Sequence, residues 1–470
     1  MEVRDDQLQR GLKKRHMTMI AIAGVIGAGL FMGSGSVINL AGPGAVLSYA
    51  LAGMIVIFVM RMLGEMAAMN PTSGSFAHYA HEAIGPWAGF LIGWLYWFFW
   101  VIAIALEATA AAAIIQYWYD GVPLWLLSLI LTVALTLTNI ISVKSFGEFE
   151  YWFSLIKVVS IIAFLAMGAA IIFGVVPNFE AVGMTNLVGQ GGFLPNGFGS
   201  VLMGVVIVIF SFMGTEIIAI AAGESEEPKE AVTKATNSVT WRILIFYVGS
   251  IAVVVTLLPW NSSDILTSPY VAVLDYIGIP AAAQIMNFVV LTAVLSCLNS
   301  ALYATSRMVF SLAEKGEAPK SFLKLNKQGA PVIAILAGTF FSYIAVIMNY
   351  VSPDKVFMFL LSSCSAITLI MYLMIAVSQL IVRKRVEKEN PELLSVKMWL
   401  FPYLTYFTII AVSALLIAMF FIDSMRSQIL FTSIIVIVVM LAYVITQKGK
   451  NRVEESSAIT ISDEAAEEGI

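Results

Sequence analysis

The sequence predicts an all-α polytopic membrane protein of twelve transmembrane helices, and three observations carry that prediction. Hydrophobic residues make up 60% of the chain and charged residues only 12%, with a mean hydropathy of +0.90. A soluble chain of 470 residues could not hide that much apolar surface. The apolar residues fall into twelve runs, each long enough, at about 20 residues, to span a bilayer. The basic residues are also segregated. Of 26 Lys and Arg, all but Lys157, Lys355 and Arg426 fall on the two tails and alternate connections. Lysine and arginine stay cytoplasmic, so both termini are expected in the cytoplasm of a multi-pass cell-membrane protein.

The elements follow in chain order. Residues 1–16 form a polar cytoplasmic N-tail, with acids beside its bases and no cleavable signal peptide. Runs 17–40, 43–66, 86–117, 123–142 and 151–175 form a first repeat, 17–175. Runs 197–222, 236–258, 281–312, 331–350 and 355–381 form a second, 197–381, so the two-repeat core is 17–381. The third and eighth runs exceed the need and are expected to tilt or project. Runs 399–421 and 428–446 add two helices, and 447–470 reads as a disordered, acidic cytoplasmic tail. The two cysteines, Cys297 and Cys364, lie in apolar runs and imply no disulfide framework.

Two runs are poor helices. "AIAGVIGAGLFMGSGSVI" (21–38) holds five glycines, and "FSFMGTEIIAI" (210–220) puts Gly214 and Glu216 in the middle of an apolar span. Glycine weakens a helix. Freed backbone groups are tolerated at membrane depth only where they line a cavity. The broken runs are the first and the sixth. A repeat of five helices reverses topology, so the two halves are expected to be inverted, with a binding site at the breaks. A half-helix starting after Gly27, Ala28 and Gly29 aims free N–H groups at the membrane middle and suits a carboxylate. Carbonyls freed near Met213 and Gly214 suit an ammonium. Together they suit a zwitterion, hence an amino acid. Gly29 and Gly33 also form a small-xxx-small pair, so close helix packing is the alternative.

Several polar residues carry two readings each. Lys157 lies early in the fifth run, about 10 Å in at 1.5 Å per residue. It either snorkels to cytoplasmic water or is a buried amine that exchanges a proton. Glu107 either bonds between helices or serves as a pole for the substrate amine, away from helix 1, or as a proton site. Glu216 caps a half-helix start and could relay protons. Glu65 reads as an i, i+4 salt bridge with Arg61. Asn299, Ser300 and Thr305 either face the site or hold helices together. His78 and His81 fall on an interfacial stretch with no metal-ligand spacing. The cluster "WLYWFFW" (94–100) reads as lipid-facing and packing surface. The run "FMFLLSSCSAITLIMY" (357–372) carries small and hydroxyl residues compatible with a gate.

The chain resembles the amino acid transporter family of the amino acid–polyamine–organocation superfamily. The resemblance runs from "LKKRHMTMIAIAGVIGAGLF" (12–31) through the last apolar run. It rests on "AGPGAVLSYALAG" (41–53), Gly64-Glu65 with Pro71, "NPTSGSFAHYA" (70–80), "SFGEFEYWFSLIKV" (145–158), "FSFMGTEI" (210–217) and "CLNSALYATSRM" (297–308). Within the family, "IAGVIGAGLF", "IGWLYWFFWV" (92–101), "SVKSFGEFEYW" (142–152) and "ATNSVTWRILIFYVGSI" (235–251) look most like 4-aminobutyrate (GABA) permeases. Close relatives handle alanine, glycine, proline or other amino acids.

The resemblance implies a five-plus-five inverted-repeat fold with two extra helices, and uptake of an amino acid with protons by alternating access. It implies carboxylate contacts at Gly27, Ala28 and Gly29 and amine contacts around Phe210 and Met213. Some relatives carry a hydroxyl residue at the position of Ala28, so here the carboxylate would rest more on backbone. The expected substrate-binding set is Val25, Gly27, Ala28, Gly29, Phe210, Met213, Gly214, Glu107 and Ser300. Lys157 and Glu216 are expected to couple protons, since sodium-independent relatives carry a lysine where sodium-driven cousins hold the ion. No metal, cofactor or nucleic acid is expected, and sodium is not. The partners are an amino acid and the bilayer. A channel would want charge rings or a carbonyl filter, a sensor an output domain, and an enzyme a nucleophile–base or metal pair. The sequence supplies none of them, nor a phosphate-binding loop for an ATPase.

Overall fold

The computed structural model describes residues 26–70, 75–141, 146–176, 183–216, 239–266, 268–278, 281–326 and 329–467. Its regular structure is all helical, with no strand among the described residues. Helix α1 begins as a π-turn, Gly29–Gly33, and continues as Ser34–Ala41. The turn Gly42–Gly44, in which Gly42 takes φ 61, leads into α2, Ala45–Met69. Then come α3 (Pro86–Gln116), α4 (Leu124–Ile141), α5 (Phe146–Ile172) and α6 (Gly197–Ile209). Helix α7 runs Val239–Leu257, α8 Ala282–Glu314, α9 Val332–Val351 and α10 Pro353–Glu389. The last two are α11 (Tyr403–Phe421) and α12 (Asp423–Glu467).

Among the described residues, nine helical stretches are long and apolar enough to cross a membrane. Gly29–Met69 counts as one of these, since only the glycine–proline turn divides it. Leu124–Ile140 and Gly197–Phe212 are shorter apolar helices. Helix α12 continues to Glu467, where the sequence reading expects a disordered tail. The helix is already nucleated, and the alanines and glutamates beyond it are good helix formers that prolong it.

Helix α3 is the central post. In its most apolar window 89% of residues are buried, against 17% for α12. It packs against α4, α8, α9, α10 and α12. Helix α2 lies on α6, α7, α10 and α11, and α5 on α7 and α8. The aromatic residues 94–100 are therefore largely interior. Phe98, Phe99 and Trp100 are buried, because a helix surrounded on all sides has no lipid face.

In an apolar interior each hydroxyl and amide needs a partner. Many hydroxyls turn back to the carbonyl one turn earlier, as Ser34 does to Leu30 at 2.5 Å and Thr305 to Ala301 at 2.6 Å. Amides bridge helices. Asn139 on α4 donates to Asn299 on α8 at 2.9 Å, and Asn349 on α9 to Thr109 on α3 at 2.9 Å. Asn299 and Thr305 thus hold helices and backbone.

One buried charge pair ties α2 to α10. Glu65 is fully buried and accepts from Arg383 at 2.8 Å, from Gln379 at 2.9 Å and from the N–H of Met398. Thr405 on α11 donates to Gln379 at 3.0 Å. This corrects the expected Arg61–Glu65 salt bridge. Arg61 instead donates to the Lys397 carbonyl at 3.0 Å and lies over the Trp399 ring. A buried carboxylate takes the partners that enclose it best, and here three come from α10 and the segment after it.

Candidate functional site

The half-helix start expected after the first glycines and the irregular backbone expected at Gly214 are both present among the described residues, and they face each other. On the α1 side, Gly27 sits in a bend and the helix opens at Ala28. On the α6 side, the helix tightens into a 3₁₀ turn at Phe210–Phe212. Met213 is then extended (φ −64, ψ 144) and Gly214 takes φ 96, a region in which residues with a Cβ are strained. The carboxylate of Glu216 accepts the Gly214 N–H at 2.8 Å and holds this backbone. It is buried, facing Tyr96 and Arg242.

The two breaks come too close for a side chain at Gly29. A methyl group there would stand 2.7 Å from Ser211 Oγ and 2.9 Å from the Ser211 Cα. Gly27 is held as tightly. A methyl group would stand 2.7 Å from Cys297 Sγ and 2.8 Å from Glu107 Oε1. Close packing and site-building are therefore one feature here.

Between the breaks lies a cavity lined by Gly29, Phe99, Trp100, Ala103, Glu107, Phe210, Ser211, Met213 and Cys297. About 20 Å³ is open to the centre of a water molecule, space for about one water and too little for an amino acid. Its walls are aromatic, with Phe99 and Phe210 at 5.9 Å between centroids. Its polar groups converge on the start of α1. The N–H of Ala28 donates to Glu107 at 3.2 and 3.3 Å. Cys297 donates to the Ile26 carbonyl at 3.3 Å. Glu107 therefore does not stand away from helix 1, as expected of a distant amine pole. It touches the first N–H of α1.

Lys157 is fully buried, which rules out the snorkelling alternative for this conformation. Its ammonium lies 3.9 Å from Cys297 Sγ. Cys297 in turn lies among the charges of Lys157, Glu107 and Glu150. Glu150 is buried and accepts from Ser296 at 2.7 and 2.8 Å. A chain of polar groups thus leads from α5 through α8 to the α1 break.

Of the expected set, Gly29, Glu107, Phe210 and Met213 line one cavity, and Gly27 and Ala28 adjoin it. Gly214 and Glu216 lie behind it. Ser300 is not among the lining residues, and its buried Oγ meets no hydrogen-bond partner among the described residues. Val25 lies outside the described residues. The sequence reading missed Phe99, Trp100, Ala103, Ser211 and Cys297. A signal was present for three of these. Phe99, Trp100 and Ala103 precede Glu107 at helical spacings of eight, seven and four, so they share its face. Reading that face would also have overturned the assignment of the aromatic cluster to packing surface alone.

A family model described as amino acid permease matches residues 16–457. The gamma-aminobutyric acid permease of Bacillus subtilis is 70% identical over 449 residues, which are 95% of this chain and 96% of that protein. The gamma-aminobutyric acid permease of Escherichia coli is 49% identical over 432 residues, 92% of each chain. An aromatic amino acid transport protein of Corynebacterium glutamicum is 42% identical over 435 residues, 92% of this chain and 94% of that one. Among solved structures, a mutant of the manganese transporter of Eremococcus coleocola aligns with a TM-score of 0.56 at 13% identity, covering 95% of both chains. That likeness is one of fold.

Proposed function

The chain belongs to the amino acid permease family, and from that premise we propose that it is a secondary active transporter carrying GABA into the cell with protons. The observation that supports GABA most is the 70% identity to a GABA permease across nearly the whole of both chains. The cavity between the two helix breaks supports a midplane site. There the GABA carboxylate would take the N–H groups at the start of α1, near Ala28 and Gly29. The ammonium would take backbone carbonyls near Phe210 and Met213. The cavity holds about one water, so loading requires α1 and α6 to part from the helices around them, as alternating access demands.

Proton coupling is supported by the buried ammonium of Lys157 beside Cys297 and the α1 break. Sodium is not required in this reading. The chain is taken as a plasma-membrane protein of twelve spans, with a five-plus-five inverted core, two added helices and both termini cytoplasmic.

The test is uptake of radiolabelled GABA into proteoliposomes under an inward proton gradient, competed by a panel of amino acids. Accumulation that collapses with the gradient supports both substrate and coupling. If alanine, glycine or proline accumulates and GABA does not, the substrate assignment falls while the site remains.

A further inference from the structure

In a bilayer interior, the free backbone groups of a broken helix cannot stay bare. At the α1 break both kinds are covered by side chains. Glu107 accepts the Ala28 N–H at 3.2 Å, and Cys297 donates to the Ile26 carbonyl at 3.3 Å. The fit is close, since Gly27 leaves room for neither an alanine methyl against Cys297 nor one against Glu107. A side-chain carboxyl thus stands where, on the reading above, the carboxylate of the substrate docks.

We infer that Glu107 makes this site demand a zwitterion, by holding the Ala28 N–H until a ligand brings its own ammonium in exchange. The inference rests on the assignment of the α1 start as the carboxylate site. A ligand carboxylate that reaches Ala28 once the helices part sets its oxygens against those of Glu107, which holds the same N–H. Two acceptors then compete for one donor. An ammonium on the ligand, with three N–H groups, relieves this by donating to Glu107 as well as to the carbonyls near Phe210 and Met213, which line the same cavity, and so turns a competitor into a partner. A carboxylic acid of equal length without the amine brings no donor and is turned away. Lys157 stands 3.9 Å from the sulfur of Cys297 and Glu107 feels its charge, but it is not among the cavity-lining residues, so the donor that a ligand meets Glu107 with inside the cavity is the ligand's own ammonium.

The experiment compares GABA with butyrate, its deaminated counterpart, on the purified full-length protein and on Glu107→Gln. The readouts are ligand-induced rise in melting temperature and competition with labelled GABA. Glutamine keeps the size and an acceptor oxygen, and its NH₂ can donate to a ligand carboxylate. In the wild type, butyrate should be far weaker than GABA. In E107Q the gap should narrow by about 10- to 100-fold, the worth of one charged hydrogen bond, as butyrate gains and GABA loses. An unchanged gap, or butyrate matching GABA in the wild type, overturns the inference. If E107Q is not recovered folded, E107D carries the test. It withdraws the carboxyl from Ala28 by one methylene, and butyrate must gain there too, by less. If the wild type does not respond to GABA, the GABA assignment falls by itself. Alanine and propionate then take the place of the pair, and the same ratio decides.

Discussion

Replacing Gly29 by alanine adds one methyl group where the two broken helices meet. That methyl would lie 2.7 Å from Ser211 Oγ and 2.9 Å from both Phe210 Cδ1 and Ser211 Cα. The Ser211 hydroxyl can rotate away. The Ser211 Cα is backbone and cannot. Ordinary contact begins near 3.4 Å, so α1 and α6 must separate by about 0.5 Å at the cavity. Overpacking of this kind costs about 1–3 kcal/mol. The cost falls on the conformation in which the two breaks are closed together. A bias of that size lowers its population relative to the other conformations about 5- to 150-fold. The initial rate of substrate uptake into proteoliposomes, at matched protein, should fall, by up to that factor. The second variant, G29A with S211G, removes the hydroxyl clash and leaves the Cα clash, so it should recover only part of the loss. Wild-type uptake by G29A would refute the reasoning. Full recovery in the double variant would show that the backbone approach does not matter.

The remaining predictions are shorter. Lys157→Ala should abolish the response of uptake to an imposed proton gradient while leaving GABA counterflow measurable; an unchanged gradient response would remove Lys157 from coupling. Replacing sodium by choline should leave wild-type uptake intact, and a loss would count against proton drive. Arg383→Met strips a buried carboxylate of its cation and should destabilise the protein by about 3–5 kcal/mol. Arg61→Ala removes a cation–π contact and should cost about 0.5–1 kcal/mol. Thermal unfolding that ranks the two variants equally, or in reverse, would restore the Arg61 pairing. Gly214→Ala forces a Cβ into φ 96, a strain of about 1–3 kcal/mol. Uptake should drop with it, and a variant that transports normally would mean the α6 break is free to relax.

The features visible in the sequence were those that change the chemistry of a helix. Apolar runs mark spans because lipid rewards nothing else. The glycines at 27 and 29 and at 214 mark breaks because the structure needs a close approach or a positive φ there. The face of α3 was far less visible. Its residues are apolar all round because it is packed all round, so Trp94 and Trp100 look alike in sequence although only Trp100 lines the cavity. Only the spacing back from Glu107 separates them. Glu65 was misassigned for a different reason. The i, i+4 rule offers Arg61 as a local partner, whereas Arg383 is 318 residues away and no local pattern points to it. The tail beyond 447 was read from its charge, while its helix follows from the span that it extends.

The Glu65 pair has a further consequence, one of timing. Chains are made from the N-terminus at about 5–20 residues per second. Arg383 follows Glu65 by 318 residues, so it is synthesised roughly 15–60 s later at that pace. The Met398 N–H, which also binds Glu65, comes later still. Throughout that interval α2 carries a glutamate whose partners do not yet exist. The pairing of Glu65 is therefore completed late in synthesis, although α2 is among the first helices made.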